Sequence, residues 1–498
     1  MATTFKPSVY QQEIYNWILT GTGNATVNAV AGSGKSTTIV NALDLIPKND
    51  TKVFLAFNKA IVEELKVKVK APNVDIKTLH SAGFSAMMFT YKSKLNTYKY
   101  KKFLNDSLYL LSTKVTIDMP DNEQYEFKSR VIRLLDLARV EMAESVDTIE
   151  GLALKHEVDI EYDEAEVVLK LMQWGVNQFK EIDYTDMIWI PVMKKLRLKT
   201  YHWVMIDECQ DLSPLQKELF LMMMDPKRGR FIAVGDKRQS INGFAGADTQ
   251  SFQKIASIEN TISLPLSICY RCGSKIIEEA KKIVSYIEPM EGAKEGKVET
   301  LEEVKLEDFQ SGDMVLSRVT APLISLCMKF ISNGIAAYVK GREIGQNLTN
   351  LVKKTKQMEL EFMFEMLRNE LYKLQVKISQ REKISMEEAK DEYAYIALQD
   401  KIECLHNISF GCLNTGELLN KIDILFKDNA SGICCSTIHK SKGLEADRVF
   451  IIALDKLPLK RCMNVEWKKE QEMNLKYVAI TRAKKELYFV DCEIKDIK

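Results

Sequence analysis

The sequence predicts an α/β fold: two parallel-sheet domains, the first with a P-loop, each interrupted by a mainly helical insert. Three observations predict it. The apolar run Ala25–Val30 leads through the Gly-rich turn "AVAGSGKST" (Ala29–Thr37) into a helical stretch that begins at Lys35. Strand, turn and helix in that order are what a phosphate loop needs. A second apolar run, Trp203–Ile206, ends in two carboxylates, where open parallel sheets place ligand chemistry. Beyond residue 310 come five more strand-like runs, "DMVLSRV", "AAYVKG", "GICCSTI", "RVFIIAL" and "ELYFVD". Between the second and third of these lies a long stretch of helical period.

The bulk numbers agree with a multidomain globular protein. The 498 residues imply roughly two to four domains. Apolar residues make up 46% and charged residues 28%. With 70 basic and 69 acidic side chains the net charge is +1, which excludes a non-specific polycation. Any contact with nucleic acid must then be local. The ten cysteines, with no secretory pattern at the N-terminus, predict reduced thiols in a cytoplasmic setting. Cys269 and Cys272 have the spacing of half a zinc site, but no second pair accompanies them. No apolar run approaches the roughly 20 residues of a membrane helix, so no membrane contact is expected.

The phosphate loop can be read residue by residue. Backbone N–H groups from Ala31, Gly32, Ser33, Gly34, Lys35, Ser36 and Thr37 would wrap a triphosphate at a helix N-terminus. Gly32 and Gly34 stand where the backbone must come closest. Ala29 replaces the usual first glycine, at little cost if its φ is negative. Lys35 would reach the β- and γ-phosphates, and Ser36 would place its hydroxyl on Mg²⁺. In "HWVMIDECQD" (His202–Asp211), Asp207 is placed to hold Mg²⁺ and Glu208 to polarise the attacking water. A chance Gly/Ser turn and a solvated acidic turn are the bland alternatives. The two motifs together predict an ATPase with ATP and Mg²⁺ as its cofactors.

"IDECQD" resembles motif II of superfamily 1 helicases of the UvrD/Rep/PcrA kind, and the resemblance runs along nearly the whole chain in the family's order. "PSVYQQEI" is similar to the Q motif, with Gln11 on the adenine-reading glutamine and Gln12 the other registration. "LAFNKA" (Leu55–Ala60) and "TLHSAGF" (Thr78–Phe84) resemble motifs Ia and Ib. The resemblance puts Phe57, Asn58, Lys59, Thr78 and His80 on the DNA strand. "IDYTDM" resembles the family's D-F-x-D-L segment, with Asp183 and Asp186 in place. "VGDKRQSINGFAGAD" (Val234–Asp248) resembles motif III, with Gln239 sensing the γ-phosphate and Phe244 stacking on a base. "LSICYRC" (Leu266–Cys272) resembles motif IV; Tyr270 would pack on adenine and Arg271 would be the first arginine finger. "STIHKSKGLEADRVFII" (Ser436–Ile452) is similar to motif V, which implies Thr437 and His439 at the DNA backbone and Glu445 at the ribose. "EMNLKYVAITRAKKEL" (Glu472–Leu487) resembles motif VI, with Arg482 as the second finger.

The sequence departs from the family at Ala56, which holds an aromatic's place, at Asn242 (tyrosine) and at Ala245 (arginine). It departs again in motif IV, where Cys269 stands for an asparagine and Cys272 for a serine. All lie outside the phosphate chemistry.

The resemblance implies two RecA-like motor domains. Residues 1–89 and 182–262 would form the first, and 263–345 with 428–498 the second. The inserts would be 90–181 (1B-like) and 346–427 (2B-like). The first insert carries the basic patch "YKYKKF" (Tyr98–Phe103). "KKLRLK" (Lys194–Lys199) reads as a solvated face or a DNA groove. The second insert has neither Gly nor Pro from Gln346 to Phe410 and predicts an antiparallel helical pair broken near Ser385, its apolar stripe buried within the chain. The compact form looks most like helicases carried by bacteriophages, which would place it in host cytoplasm.

The resemblance implies an ATP-driven helicase that moves 3′→5′ on single-stranded DNA and unwinds duplexes. Its partners would be single strands, single/double-strand junctions, and replication or recombination proteins, with the chain itself a monomer. No fused nuclease is expected after motif VI. Two other readings stay open: a translocase that strips proteins or remodels forks, and an ATP-dependent DNA-bound switch acting through a partner.

Overall fold

A computed structural model of the chain describes residues 6–156, 158, 160–241, 250–426, 431–459, 462–463 and 466–495. The chain falls into two units: Met1–Val30 with Gly34–Ser267, and Ala31–Ser33 with Ile268–Lys498.

The strands of the first unit are β1 (Asn24–Ala29), β2 (Lys52–Leu55), β3 (Val74–Lys77), β4 (Lys94–Leu95), β5 (Glu181–Ile182), β6 (Trp203–Ile206), β7 (Arg230–Gly235) and β8 (Thr261–Leu266). Among the described residues six of them form one sheet in the order β3-β2-β6-β7-β1-β8, and β4 pairs with β5 in a separate ribbon. Every pairing in the sheet is parallel. The helices are α1 (Val9–Thr20), α2 (Lys35–Leu45), α3 (Lys59–Lys68), α4 (Leu79–Tyr91), α5 (Lys99–Leu111), α6 (Asp121–Val140), α7 (Val146–Lys155), α8 (Glu164–Gly175), α9 (Asp186–Met193), α10 (Pro214–Met222) and α11 (Ser251–Ala256).

The sheet is buried on both faces, as β2 (KVFL) and β6 (WVMI) require by being apolar throughout or nearly so. Alternate residues go to opposite faces. Phe54, Met205 and Ile232 join a core with Ile14 of α1 and Ile39 of α2. Their neighbours Val53, Leu55, Val204 and Ile206 join a core with Leu104, Phe127, Leu134 and Val168. The helices α5–α8 therefore complete the second face of the sheet.

An ion network fastens this insert. Asp186, at the start of α9, is 0% exposed. It accepts from Lys99 Nζ at 2.5 Å, Tyr100 Oη at 2.7 Å and Arg139 Nη1 at 2.9 Å. Arg139 also donates to Asp183, at 3.0 and 2.8 Å. The basic patch "YKYKKF" is therefore divided between the interior and the surface. Helix α5 starts inside the run, so Lys99 and Tyr100 turn inward, while Tyr98, Lys101 and Lys102 stay exposed. Phe103 stacks on Trp174 with ring centroids 3.7 Å apart.

The second unit holds β9 (Ile268–Cys269), β10 (Glu288–Pro289), β11 (Lys297–Leu301), β12 (Val304–Lys305), β13 (Met314–Ser317), β14 (Ala337–Val339), β15 (Ile433–Thr437), β16 (Ala446–Ile451), β17 (Ala483–Val490) and β18 (Ile494–Lys495). Its parallel sheet runs β11-β17-β16-β13-β15-β14 among the described residues. The five strand-like runs seen in the sequence are β13–β17. The helices are α12 (Ser274–Lys281), α13 (Ala321–Ser332), α14 (Arg342–Thr355), α15 (Leu360–Glu382), α16 (Met386–Ala389), α17 (Tyr393–Ser409), α18 (Thr415–Leu425) and α19 (Glu466–Ile480).

The expected break near Ser385 is present. Lys383 ends α15 in the left-handed conformation, and Ser385 opens α16 with a capping box to Glu388. Met363 and Leu367 of α15 and Leu405 and Ile408 of α17 share a core with Phe330 and Phe450. The apolar stripe is thus mainly internal, although Met358 and Phe362 are 78% and 52% exposed. β8, at Thr261–Leu266, still belongs to the first sheet, beyond residue 262 where the sequence suggested the change of domain.

Candidate functional site

β6, β7 and β1 lie side by side in the first sheet, so the residues that follow them meet at one edge. Asp207 and Glu208 follow β6, Asp236 follows β7, and the phosphate loop with Lys35 follows β1. Ala29 closes β1 in extended backbone, where a Cβ is harmless. Gly32 and Gly34 have φ of 66° and 75°, the left-handed region that favours glycine. No side chain caps α2, which leaves its first-turn N–H groups to a ligand.

The charged groups converge. Lys35 Nζ lies 3.2 Å from Glu208 Oε1, and Ser36 Oγ donates to Asp207 Oδ2 at 3.3 Å. Burial opposes a charge on Lys35, yet Glu208, Asp207 and Asp236 together hold its pKa above the ordinary value. Asp207 is pushed up to about 6, first by burial and then by Glu208, against the pull of Lys35. Burial also raises Asp236. Ser36 and Asp207 set two hard oxygen donors side by side. That donor set fits a small dication that keeps most of its waters.

Glu208 sits at φ 53°, ψ 40°, a left-handed conformation that costs a non-glycine residue on the order of 1–3 kcal/mol and gathers at functional sites. Gln210 holds it there: its Nε2 donates to Glu208 Oε2 at 2.5 Å, while its Oε1 accepts from the Asp236 N–H at 3.0 Å. A Cβ on Gly235 would stand 2.3 Å from Gln210 Oε1, so only glycine lets Gln210 bridge the ends of β6 and β7. Gln239 Nε2 donates to Asp236 Oδ2 at 2.7 Å. Sequence reading passed over Gln210 and Asp236, although both stand inside motifs it quoted.

Gln11 is 2% exposed and donates to Thr38 Oγ1 of α2 at 2.9 Å, whereas Gln12 is exposed. Gln11 also completes the capping box of α1 with Ser8. Of the strand-facing candidates in this unit, Phe57 is 53% exposed after β2. Asn58 caps α3 and Thr78 caps α4, Lys59 is exposed, and His80 is half-buried in α4. Phe244, with Asn242 and Ala245, lies outside the described residues.

The second unit carries the other candidates. Arg271 Nε lies 2.6 Å from Glu445 Oε2, and its Nη1 donates to the Thr481 carbonyl at 3.2 Å. The two arginine candidates are therefore neighbours, since Arg482 follows Thr481. Arg482 is 2% exposed and donates to the carbonyls of Val478 and Leu444 at 3.0 and 3.1 Å. Tyr270 is 40% exposed. Glu472 accepts from Arg318 Nη2 at 2.8 Å and from the Leu459 N–H at 3.1 Å, which pins α19 to the end of β13. Sequence reading missed this pair because its halves lie 154 positions apart. Thr437 closes β15 and is buried. Burial, with Arg318 and Lys440, drives His439 down to about 3, which favours the neutral imidazole.

Comparison with known proteins agrees with this geometry. The model of the UvrD/REP helicase N-terminal domain matches residues 10–258, and that of the UvrD-like helicase C-terminal domain matches residues 432–490. F-box DNA helicase protein 1 of Schizosaccharomyces pombe is 26% identical over 513 residues, covering 93% of this chain and 55% of its own length. F-box DNA helicase 1 of Gallus gallus is 23% identical over 517 residues, 95% of this chain and 48% of its own. ATP-dependent DNA helicase PcrA of Leuconostoc citreum is 38% identical over 81 residues, 16% of this chain and 11% of its own. The chain spans about half the length of the two relatives it matches along nearly all of its residues.

Proposed function

The chain belongs to the UvrD/Rep helicase family, and from that premise we propose that it is an ATP-dependent DNA helicase that moves 3′→5′ along single-stranded DNA and unwinds duplexes. The observation that carries this is the convergence of Lys35, Ser36, Asp207, Glu208, Asp236 and Gln239 at three adjacent strand ends. The polarity rests on the resemblance of "QSINGF" to the motif III of the 3′→5′ branch.

Each residue has a task in hydrolysis. Backbone N–H groups of the loop and of the first turn of α2 bind the phosphates. Ser36 and Asp207 would hold Mg²⁺, which neutralises charge on the triphosphate when bound. Lys35 pairs with Glu208 in this structure; exchanging that partner for the β- and γ-phosphates frees a carboxylate oxygen. Glu208, oriented by Gln210, can then take a proton from the attacking water. Arg271 and Arg482 are suited to clamp the charge that develops on the γ-phosphate. The DNA grip falls to Phe57 and Phe244 by stacking, with Asn58, Lys59, Thr78, His80, Thr437 and His439 on the backbone.

The test is ATP hydrolysis with and without an oligo-dT strand, together with unwinding of duplexes that carry a 3′ or a 5′ tail. Strong stimulation with unwinding from the 3′ tail alone is the expected result. Stimulation with no unwinding would favour a protein-stripping translocase. Slow turnover that DNA does not change would replace the motor with a DNA-bound switch.

A further inference from the structure

Motif IV holds a feature that phosphate chemistry does not need. Cys269 and Cys272 bracket Tyr270 and Arg271, at the two positions where the resembled motif has Asn and Ser. Cys269 ends β9, and Cys272 stands just before Gly273, the N-cap of α12. Both are free thiols, 0% and 4% exposed. No third metal ligand joins them among the described residues. The Cys272 thiol donates to the Thr481 carbonyl at 3.8 Å. Two residues separate the thiols, the spacing of redox-active cysteine pairs.

Both cysteines line a cavity of about 560 Å³ within the second unit. Arg271, Lys294, Lys297, Lys484 and Lys485 line it too, against Asp447 and Glu486. It opens beside both residues and surrounds them with net positive charge, which favours thiolate. The pair is also asymmetric. The hydrogen bond from Cys272, against burial and with the help of nearby N–H groups and Arg271, brings Cys269 down to about 7. Cys272 is pushed well above its usual value by the same bond and by burial. One sulfur is thus suited to attack and the other to resolve.

We propose that Cys269 and Cys272 form a reversible disulfide with hydrogen peroxide as oxidant, and that the closed ring holds Arg271 against Glu445. The Cys269 thiolate attacks one peroxide oxygen, the O–O bond breaks, and hydroxide leaves as water after taking a proton. The Cys272 sulfur then attacks the sulfenic sulfur; the S–S bond forms, the S–O bond breaks, and a second water carries off the Cys272 proton. Two thiols give two electrons to one peroxide. The ring encloses Tyr270 and Arg271, so the guanidinium keeps the 2.6 Å pairing with Glu445 and is withdrawn from hydrolysis. This last step rests on the finger role proposed for Arg271.

The test is peroxide treatment of the whole chain, alkylation of the remaining thiols and peptide mass analysis. Expected is a loss of two hydrogens in the peptide that spans residues 269 and 272, restored by dithiothreitol. Cys272→Ser should instead give a Cys269 sulfenic acid that dimedone traps. DNA-stimulated turnover should fall by an order of magnitude or more in the oxidised chain, recover on reduction, and stay at its own untreated rate in Cys269→Ser/Cys272→Ser. If both cysteines stay alkylatable while other thiols oxidise, the disulfide is overturned. If the disulfide forms and turnover is unchanged, the coupling to Arg271 is overturned. The mass readout needs no activity, so it separates either failure from a failure of the helicase reading.

Discussion

Asp207 titrates late because it is buried beside a second carboxylate. An aspartate in the unfolded chain loses its proton near 3.9; in the fold Asp207 keeps it up to about 6. Between those values the folded protein binds more protons than the unfolded one. The stability this group lends is thus full below about 4 and lost as pH rises through about 6. A dication on Ser36 and Asp207 competes with that proton. Mg²⁺ should raise the melting temperature more at pH 7.5 than at pH 5.5 in a thermal-shift titration; equal shifts would remove Asp207 from the metal's ligands. Lys35→Ala should abolish hydrolysis, and ordinary turnover in that variant would end the phosphate-loop assignment. Arg482→Ala should cut turnover by roughly 10³–10⁵-fold, as for an arginine finger, while a fluorescent ATP analogue still binds. Loss of binding alone would contradict the finger role. The meeting of Lys35 and Ser36 with Asp207 and Glu208 was legible in the sequence because two short motifs, one after β1 and one after β6, carry them. Gln210 was not, since its task depends on β7 lying beside β6.

At the scale of elements, α5, α6 and α9 are joined by charges that sequence alone hides. "YKYKKF" has the composition of a solvated face, and nothing local says that Lys99 meets Asp186, 87 positions later. Removing one member of a buried ion cluster leaves the others unpaired, at a cost of about 3–5 kcal/mol. Arg139→Met should therefore lower the urea midpoint markedly. Asp136→Asn removes a partner whose side chain is 57% exposed, so it should cost under about 1 kcal/mol. Equal effects in urea titrations would mean that the network contributes little. The helical break at Ser385 was readable because a serine followed three residues on by glutamate is a local start signal. The break after Thr355 was not, for lack of such a signal within the long Gly- and Pro-free run.

Across the whole molecule, each insert shares a core with its own sheet. Periodicity announced the insert helices but not this sharing, because which face of a sheet a helix covers is decided by distant residues. Cooperative units follow shared cores. Hydrogen exchange in α6 and α8 should accordingly be as slow as in β2 and β6, and in α17 as slow as in β13; insert helices that open at much lower free energy would show that they fold apart. The strand order has a different consequence, on the ribosome. β1 has β7 and β8 as its neighbours, and synthesis reaches those strands only some two hundred residues after β1. At about 5–20 residues per second, the strand that carries the phosphate loop waits roughly 10–40 s for its first hydrogen-bonded neighbour. Through that interval its edges are open to any other chain, so nascent-chain chaperones have the most to protect at Asn24–Ala29.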